Sequence, residues 1–158
     1  IPVEEAQEYI DKYFDRFSGV KEYMDQTIKK VKECGYAETM FGRRRYITEI
    51  NSSNYHRRSF AERTAINTPV QGTAADIMKK SMLDVYNALK EEDLNLNILL
   101  QVHDELVFEV KKSDLDQAAK LIKEKMEKTA ELDVPLLVDL QIGENWRDKE
   151  DYEVNENA

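Results

Sequence analysis

The stretch from Ile98 to Val110 constrains this chain most. Two runs of strand-forming residues, Ile98 to Val102 and Leu106 to Val110, stand so close that they read as one antiparallel hairpin with His103, Asp104 and Glu105 at its tip. Two-residue hairpin turns favour Asn-Gly or Asp-Gly, because the central residues often need positive φ, and His-Asp offers no glycine. Both residues tolerate left-handed geometry better than most, so the turn forms at some cost. A turn with suboptimal local chemistry between strong strands marks a candidate site. The strands then act as a rigid mount for Asp104 and Glu105.

Adjacent carboxylates on a fixed turn suit a hard divalent cation such as Mg²⁺, which takes a few carboxylate oxygens and keeps positions for water and phosphate. A phosphoryl-transfer site would use two such ions. From the residues alone the alternative stays open, since a His-Asp-Glu step in an arbitrary turn is more often solvated surface. One histidine without cysteines lacks the usual zinc set, unless the fold brings His56 alongside.

Around this hairpin the patterns are mostly helical. "IPVEEAQEYIDKYFDRF" carries Pro2 at a helix start and Ala6, Ile10, Tyr13, Phe14 and Phe17 at helical spacing, positions expected to be core. Ser18 and Gly19 interrupt it, and Val20, Met24, Thr27, Ile28 and Val31 continue a second helix as far as Gly35. "YAETMFGRRRYITEI" predicts a short hairpin bending near Gly42, and "NSSNYHRR" a polar connector. Ser59 and Glu62 form the Ser-x-x-Glu pattern of a capping box, opening a long helix to Leu89 in which Pro69 and Gly72 predict a kink or a restart near Thr73. Gly72 also lets a backbone or ligand approach closely. After the hairpin, Ser113 is the expected N-cap of a helix burying Leu115, Ala118, Ala119, Ile122 and Met126, "VPLLVDLQIG" the expected final strand, and "DKEDYEVNENA" a frayed or disordered acidic end. Helices with a small antiparallel sheet, and no βαβ alternation, define an α+β fold. With 158 residues, the length predicts one folded unit.

The net charge of −9 argues against a surface coated for nucleic acid, yet it is uneven. Between Tyr36 and Lys80, eight basic residues (Arg43, Arg44, Arg45, Arg57, Arg58, Arg63, Lys79, Lys80) face four acidic ones, a net +4. A basic stripe in an acidic chain points to a specific anionic ligand, with solvated surface arginines as the bland alternative. The lone Cys34 excludes an internal disulfide and fits a reducing compartment. No apolar run approaches the roughly 18 to 20 residues of a spanning helix, so no membrane role is expected. The start at Ile1 is what a piece of a longer protein would have.

"RSFAERTAINTPVQGTAADIMKKSM" followed by "LLQVHDELVFEV", with "GYAETMFGRRRYI" and "IPVEEAQEYIDKYF" before them, strongly resembles the C-terminal polymerase region of the family A DNA polymerases. The resemblance covers nearly the whole chain except the acidic tail. It implies a palm with the adjoining part of the fingers: residues 1–56 as fingers and connecting hairpin, 57–150 as palm with the catalytic hairpin, and 151–158 as a disordered tail. It implies that Asp104 binds the catalytic Mg²⁺ ions, with Glu105 as its active-site neighbour. It likewise implies that His103 touches the primer end, that Arg63, Asn67 and Gln71 contact primer-template DNA, and that Arg43, Arg44 and Arg45 lie near the template backbone. The reaction implied is addition of deoxynucleotides from deoxynucleoside triphosphates to a primer end, in the bacterial cytoplasm at the nucleoid. The family's other metal-binding aspartate and its nucleotide-gripping helix are absent from these residues, so the remainder of the polymerase chain is an expected partner and the fragment alone is expected to be inactive.

The residues agree independently. Arg63, Asn67 and Gln71 are spaced by four and share one drifting helix face, with Pro69 disturbing the phase of Gln71. Donors on such a face suit the minor groove, where purine N3 and pyrimidine O2 present acceptors at every base pair. A capped surface helix with scattered polar residues is the alternative from spacing alone, and a non-catalytic nucleic-acid-binding module with a palm-like fold is the alternative function.

Overall fold

The computed structural model describes residues 1–92, 94 and 96–154. Among these the chain is α+β, with four α-helices and three two-stranded antiparallel sheets. It divides into two compact units, residues 1–73 and 74–158, rather than the single unit expected from length. The boundary falls inside a helix, whereas the subdomain division implied by the resemblance falls at 56/57.

In the first unit, Pro2 precedes α1 (Val3–Arg16), and Glu4 and Glu5 in the first turn complement the helix dipole. The chain breaks at Phe17 and resumes as α2 (Ser18–Cys34), which ends on Gly35 at φ 82°, a left-handed cap whose amide donates to the Val31 carbonyl at 2.8 Å. The apolar stripe of α1 is not core as expected: α1 buries no residue, and Ile10, Tyr13 and Phe17 are each about half exposed. Amphipathic spacing specifies a face that favours burial but not what covers it. The core of this unit is instead small, gathering Val31, Ala37, Ile47, Ile50, Ala61 and Ala65. Strands β1 (Tyr36–Glu38) and β2 (Arg44–Tyr46) pair antiparallel, with Gly42 at φ 81° in their turn.

Helix α3 (Tyr55–Glu91) begins four residues before the expected capping box. Its cap is Asn54, whose Oδ1 accepts from the amides of His56 at 3.0 Å and Arg57 at 3.3 Å. Ser59 lies in the second turn and its Oγ accepts from Arg63, while Glu62 holds Lys32 at 2.7 Å. No restart occurs at Thr73: the helix runs through Pro69 and Gly72. Proline leaves one interior hydrogen bond unmade, but packing carries the turn, since Ala61, Ala65 and Thr68 are buried along the same side. Gly72 does accept a close neighbour: a Cβ there would lie 2.6 Å from Thr39 Cγ2. Around it the β1–β2 turn docks through Arg43 Nη2 donating to the Gly72 carbonyl at 3.0 Å and the Met40 amide donating to Thr73 Oγ1 at 2.9 Å.

In the second unit, β3 (Leu96–Val102) and β4 (Glu105–Val110) form the expected hairpin, with an irregularity between Ile98 and Leu100. Its inner face and α4 (Leu115–Glu127) close on Val85, Ile122 and Met126, joined by Leu106 and Phe108. Ala118 and Ala119 are buried as the periodicity predicts. Ser113 is not the N-cap; it lies in a 3₁₀ turn, Lys112–Asp114, and its hydroxyl donates to Asp114 at 2.7 Å. The final strand is shorter than expected, reduced to β5 (Gln141–Ile142). Pro135 lacks an amide for a ladder, and the Val138 amide donates to Glu127 Oε1 at 3.1 Å instead. The acidic end is tied down where fraying was expected: Glu150–Asp151 form β6 on β5, and the Tyr152 amide donates to the Leu140 carbonyl at 2.8 Å. The expectation for 155–158 lies outside the described residues. No helix among the described residues is long and apolar enough to cross a membrane.

Candidate nucleic-acid groove and catalytic hairpin

In the first unit, five residues singled out from the sequence converge. Arg43, Arg45, Arg63, Asn67 and Gln71 line one open groove of about 400 Å³. Two local rules bring them there. On α3 the spacing of four keeps Arg63, Asn67 and Gln71 on one face despite Pro69. On the hairpin, the period of two sends Arg43 and Arg45 to one side and Arg44 to the other.

Arg44 accordingly leaves the groove. Its Nε donates to Glu38 Oε2 at 2.6 Å, and its guanidinium sits 4.5 Å from the centre of the Tyr36 ring. The hydrogen bond to Glu38, reinforced by the charges of Tyr36 and Glu38, holds this guanidinium above its ordinary value. Arg43 is fixed by its bond to Gly72, and Arg63 by Ser59 Oγ at 2.9 Å. Among the described residues, no hydrogen bond engages the side-chain amides of Asn67 or Gln71, so their donors are available to a ligand. Phe60, Thr64 and Thr68 also line the groove and were not anticipated. Their own spacing of four, one residue out of step with Arg63 and Asn67, was the available signal. Thr64 and Thr68 donate their hydroxyls back to the carbonyls of Phe60 and Thr64, at 2.9 and 2.7 Å.

In the second unit, Val102 pairs with Glu105, leaving His103 and Asp104 as a two-residue loop. Only His103 takes positive φ, 51°, so one loop residue rather than both bears the left-handed cost. Gln101 Nε2 donates to the His103 carbonyl at 2.7 Å and braces the tip. His103, Asp104 and Glu105 are all exposed. Lys149 Nζ lies 3.7 Å from Glu105 Oε1.

Among the described residues no group of three or more His, Cys, Asp or Glu forms a metal site, and no zinc set assembles around His56. Mg²⁺ asks for less: one or two carboxylates, the remaining positions going to water and substrate phosphates. Two adjacent exposed carboxylates on a braced turn fit that requirement.

One α+β chain thus carries a basic groove of hydrogen-bond donors in its first unit and an acidic hairpin tip in its second. The model of DNA polymerase family A matches residues 1–148, and the chain belongs to that family. It is 51% identical over 144 residues to DNA polymerase I of Bacillus subtilis, covering 91% of this chain and 16% of the relative. It is 52% identical over 142 residues to DNA polymerase I of Pseudomonas aeruginosa, covering 90% and 16%. A solved structure, the polymerase domain of Pol1 from M. smegmatis in complex with DNA primer-template and dNTP, matches with a TM-score of 0.84 and 46% identity over 86% of this chain and 24% of that one. The chain thus spans about a sixth of the length of these curated relatives.

Proposed function

We propose that this chain is the palm-bearing portion, with part of the fingers, of a DNA-directed DNA polymerase that extends primer ends at the bacterial nucleoid. The observation that carries the reading is the groove, where Arg43, Arg45, Arg63, Asn67 and Gln71 converge. Arginines there meet the phosphates of primer-template DNA, which supply most duplex affinity. Asn67 and Gln71 donate to the minor-groove acceptors common to every base pair, sensing pair geometry without reading sequence. His103 touches the primer end.

Asp104, with Glu105 beside it, would hold Mg²⁺. An ion bound there would supply Lewis-acid charge for phosphoryl transfer. The hairpin's part is positional: paired strands and the Gln101 brace keep two carboxylates fixed at a solvent-accessible tip. In the reaction the primer 3′-hydroxyl bonds to the α-phosphorus of a deoxynucleoside triphosphate and pyrophosphate leaves. The family's second metal-binding aspartate and its nucleotide-gripping helix come from the remainder of the polymerase chain, so residues 1–158 alone do not synthesise DNA.

Primer extension tests both statements. In the full-length polymerase that carries this chain, Asp104→Asn abolishes synthesis while duplex affinity stays within a fewfold, because phosphate contacts lie elsewhere. Undiminished synthesis by that variant, or robust synthesis by residues 1–158 alone, refutes the assignment. RNA and DNA templates offered side by side establish which template is used.

A further inference from the structure

We propose that Lys149 is a positioning residue for the Glu105 carboxylate, delivered to the hairpin by a strap that begins where the family match ends. The family model stops at Asp148, and Lys149 is the next residue. Its ammonium lies 3.7 Å from Glu105 Oε1, with the lysine side chain 27% and the glutamate 51% exposed. By comparison, the lysines of the helix-surface pairs Lys12–Glu8 and Lys128–Glu124 are 68% and 73% exposed. Lys149 is therefore more shielded, and its charge is less screened.

Its backbone is held on both sides. Before it, Asn145 Oδ1 accepts from the amides of Arg147 at 3.0 Å and Asp148 at 2.9 Å. The same loop is closed so tightly that a Cβ on Gly143 would collide with the Asp148 carbonyl oxygen. After it, β6 pairs with β5, Gln141 Nε2 donates to Asp151 Oδ1 at 3.0 Å, and the Tyr152 hydroxyl donates to the Asp116 carboxylate on α4. An ion pair between two free side chains loses much of its gain to ordering them. Here the cation's backbone anchor is already ordered, so what remains to be fixed is the side-chain rotamers of Lys149 and Glu105.

The consequence concerns the carboxylate pair. Asp104 and Glu105 are neighbouring like charges, and the Lys149 charge offsets their repulsion while favouring one orientation of Glu105. This inference rests on reading Asp104 and Glu105 as the catalytic tip.

The test is single-nucleotide incorporation by the full-length polymerase carrying this chain, measuring kcat, nucleotide KM and duplex Kd. Lys149→Met lowers kcat roughly two- to fivefold, the range of a partly exposed ion pair. Duplex Kd and nucleotide KM change less than about twofold on the same grounds. Lys149→Arg restores most of kcat. In a Glu105→Gln background, Lys149→Met has no further effect, because the lysine acts through that carboxylate. Gly143→Ala, which displaces the strap without touching either charge, reproduces the Lys149→Met loss. Wild-type kcat in Lys149→Met, or an undiminished loss in the Glu105→Gln background, overturns the role of Lys149. Asp104→Asn, run alongside, separates the two levels: an inactive Asp104→Asn beside a fully active Lys149→Met sinks only the strap, whereas a fully active Asp104→Asn sinks the catalytic reading beneath it.

Discussion

Gly72→Ala tests how the β1–β2 turn is seated on α3. The added methyl would lie 2.6 Å from Thr39 Cγ2 and 3.4 Å from Arg43 Nη2. Thr39 is only 5% exposed, so it has little room to yield. Overpacking of this kind costs about 1–3 kcal/mol. Displacing the turn also loses the Arg43 to Gly72 hydrogen bond, worth about 1 kcal/mol. Against both stands the gain in helix propensity from glycine to alanine, about 1 kcal/mol. The last two offset each other, leaving a net loss of about 1–3 kcal/mol, or roughly 2–4 °C in melting temperature for each kcal/mol in a chain of this size. Thr39→Ser supplies the rescue, removing the colliding methyl while keeping the Oγ that accepts from the Arg43 amide at 3.1 Å. The double variant moves one methyl across the contact and returns to within about 1 kcal/mol of wild type, as volume-conserving exchanges do. Urea denaturation of the four proteins measures this cycle. A neutral Gly72→Ala, or a double variant no more stable than Gly72→Ala alone, refutes the packing argument.

Asn54→Ala destabilises by about 1 kcal/mol through loss of the cap, and Ser59→Ala by less than about 0.5 kcal/mol in the same denaturation assay, as expected of a half-buried position inside the helix that caps nothing. In fluorescence anisotropy with a primer-template duplex, Arg45→Ala reduces the slope of log affinity against log salt by about 0.9, one phosphate contact; Arg44→Ala, whose guanidinium is committed to Glu38, leaves the slope nearly unchanged. Hydrogen bonding to Asp116, aided by desolvation, raises the Tyr152 phenol above its ordinary value. The neutral phenol is therefore the form favoured by folding, so the stabilisation is complete below the ordinary tyrosine value near 10 and is lost as pH rises through the higher folded value. Tyr152→Phe removes the most alkaline step from a tyrosinate absorbance titration, and an unchanged titration contradicts the assignment.

What was legible in the sequence was whatever depends on neighbours along the chain. The hairpin declared itself because only three residues separate its two strand-forming runs, and Asp104 and Glu105 are adjacent whatever the rest of the fold does. The face of α4 followed from Ala118, Ala119, Ile122 and Met126 in the same way. Errors arose where one local pattern had two outcomes. A Ser-x-x-Glu step fits a helix start or a second turn, and Asn54 had already capped the helix. The three consecutive arginines are instead divided by strand alternation, Arg44 toward Glu38 and the other two toward the groove. The α1 stripe announced a buried face, yet Ile10 and Tyr13 remain half exposed. Lys149 was hidden for the opposite reason: its partner Glu105 is distant in sequence, and a segment of such acidic composition gives no sign that a strand pairing orders it.

That pairing bears on how the protein is trimmed for laboratory work. A version cut back to the 148 residues that the family match spans would discard β6. The outer edge of β5 would be left with unsatisfied amides and carbonyls, an invitation to self-association. Such a shortened protein is the one to expect in the insoluble fraction, and poor recovery there would speak to a missing edge partner rather than to an unstable core.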